Sequence, residues 1–337
     1  MKKVSISVDA MGGDNAPEAV VDGCVQAVLE DPDIRVVLCG DSESIQAALD
    51  RNTYPQEQVV VLHTTEVIEV DEPPVNAIRT KKDSSLVKGI RLVREKRTDA
   101  FVSAGSTGAI LAGGTLILGR IKGIERPALG SFIPNSVGFT LLLDCGANVD
   151  SKPEYLYQFA KMGSIYYKTF MNKENPSVGL VNIGEEESKG NQLSKEAYKL
   201  LAGDTGLNFI GNIEGREIPA GAADVVVCDG FVGNVILKYT EGFATSLFGM
   251  LKETFLSNMK SKMGALLLKG SMKEMLTKFD YTEYGGAPLL GLEGLVVKAH
   301  GSSDAKAFKN AILQCKKFSQ EQVNAQIKEN LDIVEKE

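Results

Sequence analysis

The chain has 337 residues and a formal net charge of −7, and this acidic balance argues against a general nucleic-acid-binding role. Hydrophobic residues make up 43% and charged residues 24% of the sequence, which is the composition of a soluble globular protein with a substantial core. The two histidines exclude a histidine-rich metal site, and no apolar run approaches the ~20 residues of a membrane-spanning helix.

The first predicted element is a short β-strand that runs directly into a glycine turn. In VSISVDAMGGDNAP, apolar and polar residues alternate before the turn, and a helical pattern follows over residues 17–30. Gly12 and Gly13 permit a sharp turn, and Asp14 or Asn15 is predicted to cap the helix. Backbone N–H groups that converge at such a turn favour an anion, although an ordinary strand-to-helix turn has the same pattern.

Further along the chain, apolar runs alternate with helical stretches. The runs predict strands at residues 35–40, 59–64, 100–105, 139–146, 177–184, 223–230 and 294–301. The main helical stretches between them lie at residues 42–50, 84–97, 152–171 and 190–202. Continuous Val- and Leu-rich strands that alternate with helices are typical of a sheet covered on both faces. We therefore predict an α/β fold with a largely parallel sheet, in one intertwined domain over residues 1–337.

Small and polar residues follow six of the predicted strands. The six segments are SVDAMGGD, VSAGSTGA, LLDCGAN, LVNIGEEESKGN, VVCDGFVGN and VKAHGSSD. In open α/β sheets, ligands bind beyond the carboxyl ends of the strands. Six such endings are more than the turns of a fold require, so together they predict a ligand site.

The segment SAGSTGA places hydroxyl groups and free amides at a strand-to-helix junction. Ser103, Gly105 and Thr107 suit a phosphate or an oxyanion, while helix capping is the structural alternative. The segment lacks the Gly-Lys-Ser/Thr of a Walker A loop, and neither Gly-x-Ser-x-Gly nor a Gly-x-Gly-x-x-Gly after the first strand is present. Serine-hydrolase and dinucleotide-binding interpretations are therefore disfavoured.

The segment NIGEEESKGN combines amide, carboxylate and ammonium groups after a predicted strand. Asn182, Lys189 and Asn191 are the candidates, because a lysine at this position can pair with phosphate. An ordinary solvated charged loop is the alternative.

The segment CDGFVGNVILK follows the next strand and offers a carboxylate, an amide and a lysine. These are Asp229, Asn234 and Lys238. Gly230 and Gly233 are predicted to allow a close approach of the backbone at this position.

The segment KAHGSSD follows the last predicted strand and precedes a helix at residues 303–316. His300 at this position can donate a hydrogen bond to an anion or protonate a leaving group, and Ser302 and Ser303 add further donors. A capping or core histidine is the alternative, and it is the favoured interpretation of His63.

The five cysteines contain no Cys-x-x-Cys pair, and the first residues lack the apolar core of a signal peptide. We therefore expect a cytoplasmic protein with reduced thiols. Cys145 and Cys228 end apolar strands, so we interpret them as small core residues rather than nucleophiles.

Residues 241–279 are predicted to form a helical hairpin inserted in the domain. Apolar residues recur every four positions in its first half, Gly264 is expected to break the helix, and a second helix follows. The turn would then carry Leu266, Leu267 and Leu268 between lysines, which suits an anionic membrane surface. The alternative is a tip buried on the body or on a partner subunit.

Together these segments resemble one known family. DAMGGDNAP, SAG-x-TGA, LLDCGANVDSKPEYL, GLVNIGEEESKGN, VVVCDGFVGNVILK, YGGAPLLG and KAHGSSDA occur in the order typical of the bacterial phosphate acyltransferases of phospholipid synthesis. One departure is Ser106, where the family pattern has Asn. The resemblance implies a three-layer α/β/α sandwich similar to isopropylmalate dehydrogenase and phosphotransacetylase, a homodimer, and no metal or organic cofactor.

The resemblance also implies transfer of a fatty acyl group from acyl carrier protein to inorganic phosphate. Phosphate is then expected at the glycine turn, the KAHGSSD amides and Lys189, with Asn234 or Thr107 stabilising the oxyanion and His300 protonating the leaving thiolate. The catalytic candidates are His300, Asp229, Asn234 and Lys189. The substrate-binding candidates are Asp9, Gly12, Gly13, Asp14, Asn15, Ser103, Gly105, Thr107, Asn182, Asn191, Lys238, Ser302 and Ser303.

Two other functions remain open from the sequence. One is a nicotinamide-dependent hydroxyacid dehydrogenase, which the fold analogy alone supports. The other is a non-catalytic scaffold that binds acyl carrier protein at a membrane. Formation of acyl phosphate from the carrier-protein thioester and phosphate would separate the acyltransferase from both.

Overall fold

The computed structural model describes residues 3–279 and 285–330, without the side chains of residues 273–279. Tyr284 of the YGGAPLLG segment lies outside the described residues. The strands are β1 (Val4–Asp9), β2 (Ile34–Gly40), β3 (Val59–His63), β4 (Ala100–Ser103), β5 (Ala128–Asn135), β6 (Gly138–Leu143), β7 (Ser177–Asn182), β8 (Asn208–Glu214), β9 (Val225–Val227), β10 (Ala287–Leu290) and β11 (Leu295–Lys298). The helices are α1 (Glu18–Glu30), α2 (Ser42–Leu49), α3 (Pro74–Thr80), α4 (Ser85–Arg94), α5 (Thr107–Gly113), α6 (Pro153–Met171), α7 (Gln192–Gly203), α8 (Gly230–Leu256), α9 (Met259–Phe279), α10 (Ala305–Gln320) and α11 (Val323–Asn330).

Within the described residues, the strands form an eleven-stranded sheet in the order β3-β2-β1-β4-β11-β10-β5-β6-β9-β7-β8. The pairs from β3 to β11 are parallel, and so are those from β6 to β8. The pairs β11–β10, β10–β5 and β5–β6 are antiparallel. Since three antiparallel pairs separate the two parallel halves, the second half runs opposite to the first. The predicted α/β fold with a largely parallel sheet is confirmed.

Helices cover both faces of the sheet, and the strands are buried on both sides. In β9, Val225 and Val227 belong to one core cluster, which includes residues of α1, α6 and α10. Val226 between them belongs to a second cluster, which includes residues of α4 and α5. Because successive side chains of a strand point to opposite faces, this burial explains the uninterrupted valine run.

The two strands that join the halves, β5 and β10, are not predicted from the sequence. β5 contains glycine, serine and proline, and β10 is a four-residue strand with Pro288 at its second position. Such composition is depleted in strands, so neither segment has a recognisable strand pattern. The antiparallel pairs that they form are the origin of the reversal between the halves.

Helix α9 continues across Gly264, so the predicted helix break at this glycine is wrong. The helices α8 and α9 meet instead at residues 257 and 258, and the three leucines lie within α9 rather than in the turn. A single glycine costs a helix only about 1 kcal/mol, which the rest of a 21-residue helix outweighs. Among the described residues, none of the helices is both long and apolar enough to span a membrane.

Candidate functional site

Asp9 and Ser103 join the ends of the neighbouring strands β1 and β4. The Ser103 hydroxyl donates to Asp9 Oδ2 (2.7 Å), and the backbone N–H of Gly105 donates to Ser103 Oγ (3.0 Å). Asp9 is buried, and its burial raises the pKa of the carboxyl group, although hydrogen bonds to it oppose the shift. A Cβ at Gly12 would lie 2.6 Å from Asp9 Oδ2, so the glycine turn packs directly on this carboxyl group. Asp9 and Ser103 therefore position the two loops, and Thr107 follows as the first residue of α5.

The glycine turn after β1 is also bonded to the loop after β11. The backbone N–H of Asp14 donates to the Gly301 carbonyl (2.8 Å). Asn15 Nδ2 donates to the carbonyl oxygens of Ser302 (3.1 Å) and Ser303 (3.2 Å). The structure thus brings together two of the predicted site segments that are about 290 residues apart in the chain.

The predicted cap of α1 by Asp14 or Asn15 is wrong. The helix begins after Pro17, and within the described residues no side-chain hydrogen bond caps it. The Asn15 amide is engaged by the loop after β11, and Gly13 adopts a φ of +102°, which a residue with a side chain rarely accepts. The turn is therefore shaped by this tertiary contact rather than by helix capping.

His300 lies two residues after the end of β11, and Ser302 orients its imidazole. The backbone N–H of Ser302 donates to His300 Nδ1 (3.2 Å), and the Ser302 hydroxyl lies 2.8 Å from the same nitrogen. In the neutral ring, this assignment places the proton on Nε2. Partial desolvation and the nearby Lys238 and Lys298 ammonium groups lower the pKa of His300, with Glu241 opposing them. The lowered pKa favours the neutral imidazole, which can donate from Nε2.

Lys298 is a site residue that the sequence does not single out. It is the last residue of β11, and its ammonium donates to the Ala299 carbonyl oxygen. Burial and the Lys238 ammonium lower its pKa to about 8, with Asp14 opposing the shift. The sequence signal that could have identified it is its position as the first residue of the KAHGSSD segment, a charged residue directly after the apolar run LVV.

In the second half of the sheet, α8 begins against the turn that follows β6. A Cβ at Gly233 would lie 1.9 Å from the Asp144 carbonyl oxygen, and one at Gly230 would lie 2.7 Å from a backbone oxygen of the same turn. The close approach predicted at both glycines is confirmed. Asn234 follows in the helix and lies beside Gly146, where a Cβ would be 3.5 Å from that of Asn234.

Asp229 is the N-cap residue of α8. Its Oδ1 accepts the backbone N–H of Val232 (2.9 Å). Asp229 also lines a cleft of about 390 Å³ together with Ser151, Leu193 and Phe231. Asp229, one of the catalytic candidates from the sequence, thus orders the first turn of the helix and also borders an open cleft.

The three candidates of the NIGEEESKGN segment lie at the end of β7 and in the loop that leads from it to α7. Asn182 Nδ2 donates to the carbonyl oxygen of Lys189 (3.2 Å), and Asn191 caps α7 by accepting the backbone N–H of Ser194 (2.9 Å). The Lys189 side chain is exposed. The hydrogen bonds of the two asparagines therefore shape the loop that presents Lys189.

Helix α8 connects the carboxyl ends of the strands in the two halves of the sheet. Because the halves run in opposite directions, the sheet alone does not bring these ends together. Its first turn contacts the loop after β6, whereas Lys238 and Glu241, further along, act electrostatically on His300. Lys238 also acts on Lys298 and forms an ion pair with Glu241 (2.8 Å). One helix thus carries Asn234 beside the turn after β6 and Lys238 near the loop after β11.

Cys145 and Cys228 are buried, and burial raises the pKa of both thiols well above the ordinary value. Their interpretation as small core residues is confirmed, because a protonated, inaccessible thiol is a poor nucleophile.

The sequence matches a family model described as "Fatty acid synthesis protein" over residues 4–326. The chain is 53% identical over 330 residues to a phosphate acyltransferase of Clostridium botulinum, covering 98% of this chain and 99% of that protein. It is 55% identical over 316 residues to a phosphate acyltransferase of Clostridium beijerinckii, covering 94% and 95% of the two chains. The chain belongs to the family of these phosphate acyltransferases. The resemblance predicted from the segments is confirmed.

Solved structures of other proteins share the fold of this chain, although their sequence identity to it is low. A phosphotransacetylase from Streptococcus pyogenes superposes with a TM-score of 0.63 at 19% identity, covering 95% of this chain and 94% of that chain. A 4-hydroxythreonine-4-phosphate dehydrogenase from Klebsiella pneumoniae superposes with a TM-score of 0.54 at 12% identity, covering 95% and 98%. A phosphotransacetylase and a dehydrogenase both have this fold. The fold alone therefore does not distinguish acyl transfer from dehydrogenation.

Proposed function

We propose that the protein transfers a fatty acyl group from the thioester of acyl carrier protein to inorganic phosphate, giving an acyl phosphate for phospholipid synthesis. The observation that carries this proposal is the position of α8. It starts at the Asp229 cleft and places Lys238 beside Lys298 and His300. Such a site combines an open cleft for an acyl donor with clustered cations for an anionic acceptor.

In the proposed reaction, a phosphate oxygen attacks the thioester carbonyl carbon. The C–O bond of the acyl phosphate forms, the C–S bond breaks, and the carrier thiolate leaves and takes up a proton. Phosphate dianion is itself a competent nucleophile, so the reaction requires no covalent enzyme intermediate. Holding the two reactants in place supplies on the order of 7–11 kcal/mol, and a donor to the oxyanion about 3–4 kcal/mol.

The proposed roles of the site residues follow from their surroundings. Asn234 donates to the oxyanion from the first turns of α8, while Lys189 and Lys238 attract phosphate. A neutral His300 is a weak acid, so its lowered pKa supports a role as hydrogen-bond donor from Nε2 rather than as the proton source for the thiolate. Asp229 orders the start of α8 and borders the donor cleft.

The test is the formation of hydroxylamine-trappable acyl phosphate from acyl carrier protein thioester and phosphate. We expect turnover that depends on both substrates. Binding of the carrier protein without turnover would favour a scaffold, and reduction of NAD with a hydroxyacid, followed by absorbance, would favour a dehydrogenase. Either result without acyl phosphate contradicts the proposal.

We include a homodimer and an isopropylmalate-dehydrogenase-like arrangement of the α/β unit in the proposal. On α8, Val235, Tyr239 and Phe243 are spaced four residues apart, and each is more than half exposed. A second copy of the chain would cover this apolar face. We expect Tyr239→Glu to convert a dimer to a monomer in size-exclusion chromatography with light scattering, and an unchanged mass would contradict this assignment.

We also propose that α8 and α9 form a hairpin whose α9 face contacts an anionic membrane peripherally. Met259, Met263, Leu266 and Leu267 are spaced as one face of a helix, and all four are largely exposed. Lys260, Lys262 and Lys269 flank this face, and each lysine near an anionic surface contributes about 1 kcal/mol. Leu268 lies about 100° beyond Leu267 around the helix, so it points away from this face.

Sedimentation with anionic liposomes tests this face. We expect Leu266→Glu combined with Leu267→Glu to abolish sedimentation and to leave acyl transfer in solution near the wild-type rate. Leu268→Glu should have a smaller effect, and Leu200→Glu on α7 is a control, since Leu200 is an exposed leucine of another helix. Unchanged liposome binding, or conversion of a dimer to a monomer, would assign the face to another role.

A further inference from the structure

Lys298 is a half-buried lysine at the point where the loops of the first half of the sheet meet. It ends β11, opposite Ser103 of β4 and Ala287 of β10 in the strand register. The next residue, Ala299, donates its backbone N–H to the Ser103 carbonyl (2.9 Å), which fixes the strand end. Lys298 therefore projects from a rigid strand rather than from a loop.

The charges around Lys298 are arranged for an anion. Lys238 acts on it from α8, so two ammonium groups approach each other, and the His300 imidazole responds to both, while Glu241 pairs with Lys238 (2.8 Å) and opposes its effect on His300. Asp14 is the carboxylate that acts on Lys298, but its effect is smaller than that of burial and of Lys238. Two like charges held together in a partly desolvated place repel each other, and a bound anion relieves this repulsion.

The hydrogen-bond donors of this region also suit an anion. An ammonium group has three N–H donors, and in the described part of the chain the Ala299 carbonyl accepts one of those of Lys298. Close by in the sequence, Ser303 is buried, and its Oγ has no hydrogen-bond partner among the described atoms.

We propose that Lys298, together with Lys238 and His300, binds the inorganic phosphate that accepts the acyl group. The inference rests on the proposed acyl transfer, and it assigns the anion to the loop after β11. Lys298 donates charge-assisted hydrogen bonds to a phosphate oxygen, and the His300 Nε2–H donates to a second oxygen.

Calorimetric titration of inorganic phosphate into the full-length protein tests this without turnover. We expect Lys298→Met to weaken phosphate binding about 10- to 100-fold, the range of a hydrogen bond to a charged group. Lys298→Arg, which keeps the charge, should bind more tightly than Lys298→Met. Lys309→Met is the matched control, because Lys309 is also a half-buried lysine but pairs with Glu30 on the outer helices (2.8 Å).

Steady-state kinetics provide the second readout. We expect Lys298→Met to raise KM for phosphate and to leave KM for the acyl donor unchanged, a split that general destabilisation would not produce. Unchanged phosphate affinity in a folded Lys298→Met, or equal losses in Lys309→Met, would overturn the inference. If the wild type binds phosphate but forms no acyl phosphate, the proposed function fails while the assignment of Lys298 stands.

Discussion

A single methyl group at residue 233 tests how strictly the start of α8 is fixed. In Gly233→Ala, the new Cβ would lie 1.9 Å from the Asp144 carbonyl oxygen and 3.1 Å from Cys228 Sγ. The first turn of α8 must then move by about 1.5 Å to restore an ordinary contact of 3.4 Å. Overpacking of this kind costs about 1–3 kcal/mol, and more where backbone atoms oppose the new group.

Gly249→Ala on the same helix is the matched control. Among the described atoms, none lies within 4 Å of a Cβ built at this position. Both substitutions gain the same helix propensity, about 0.8–1 kcal/mol, so this gain cancels in the comparison. The difference between the two variants therefore reports the packing of Gly233 alone.

We expect the urea midpoint of Gly233→Ala to fall and that of Gly249→Ala to stay level or rise. Acyl phosphate formation should fall on the order of 10²-fold in Gly233→Ala, because a displacement of about 1 Å in a positioned group has this effect. Equal midpoints and equal rates for the two variants would refute the reasoning, since they would mean that α8 can move without consequence for the site.

Three further outcomes are expected. Cys145→Ala and Cys228→Ala should retain acyl transfer if they fold, and a trapped acyl thioester at either residue, detected by mass spectrometry, would contradict direct attack by phosphate. Lys189→Ala should raise KM for phosphate more than KM for the acyl donor, and an unchanged KM for phosphate would remove Lys189 from the site. Lys298 is charged below its pKa of about 8 and neutral above it, so KM for phosphate should rise as the pH passes 8 in the wild type. In Lys298→Arg the same pH profile should stay flat, whereas parallel profiles would contradict the role of Lys298.

The central strands of the fold are predictable from sequence because burial on both faces leaves a continuous apolar run. The segments LLL of β6 and VVV of β9 have this property, and their helical neighbours follow at regular intervals. The reversal of strand direction is not predictable in the same way. It depends on which edges β5 and β10 pair with, and pairing is a long-range property that a short segment containing proline does not encode.

The site shows the same division between local and long-range information. The glycines of CDGFVGN predict a close approach correctly, since only the absence of a Cβ permits the contact between Gly233 and Asp144. The cap of α1 fails, because Asn15 bonds instead to carbonyl groups at the far end of the chain. Lys298 begins the KAHGSSD segment, but nothing local distinguishes it from an ordinary strand-end lysine, and its proposed role depends on Lys238 of the distant helix α8.

The length and placement of α8 explain how one site can draw on two oppositely directed halves of a sheet. Lys238 lies nine residues after Asp229, about 13.5 Å further along a helix axis. A helix transmits the position of its first turn to its later turns almost rigidly. The close packing at Gly230 and Gly233 therefore sets not only where Asn234 lies, but also how near Lys238 comes to Lys298 and His300. The distance between the proposed acyl-donor cleft and the proposed phosphate site is thus set by backbone packing at two glycines rather than by the side chains to which we assign the chemistry.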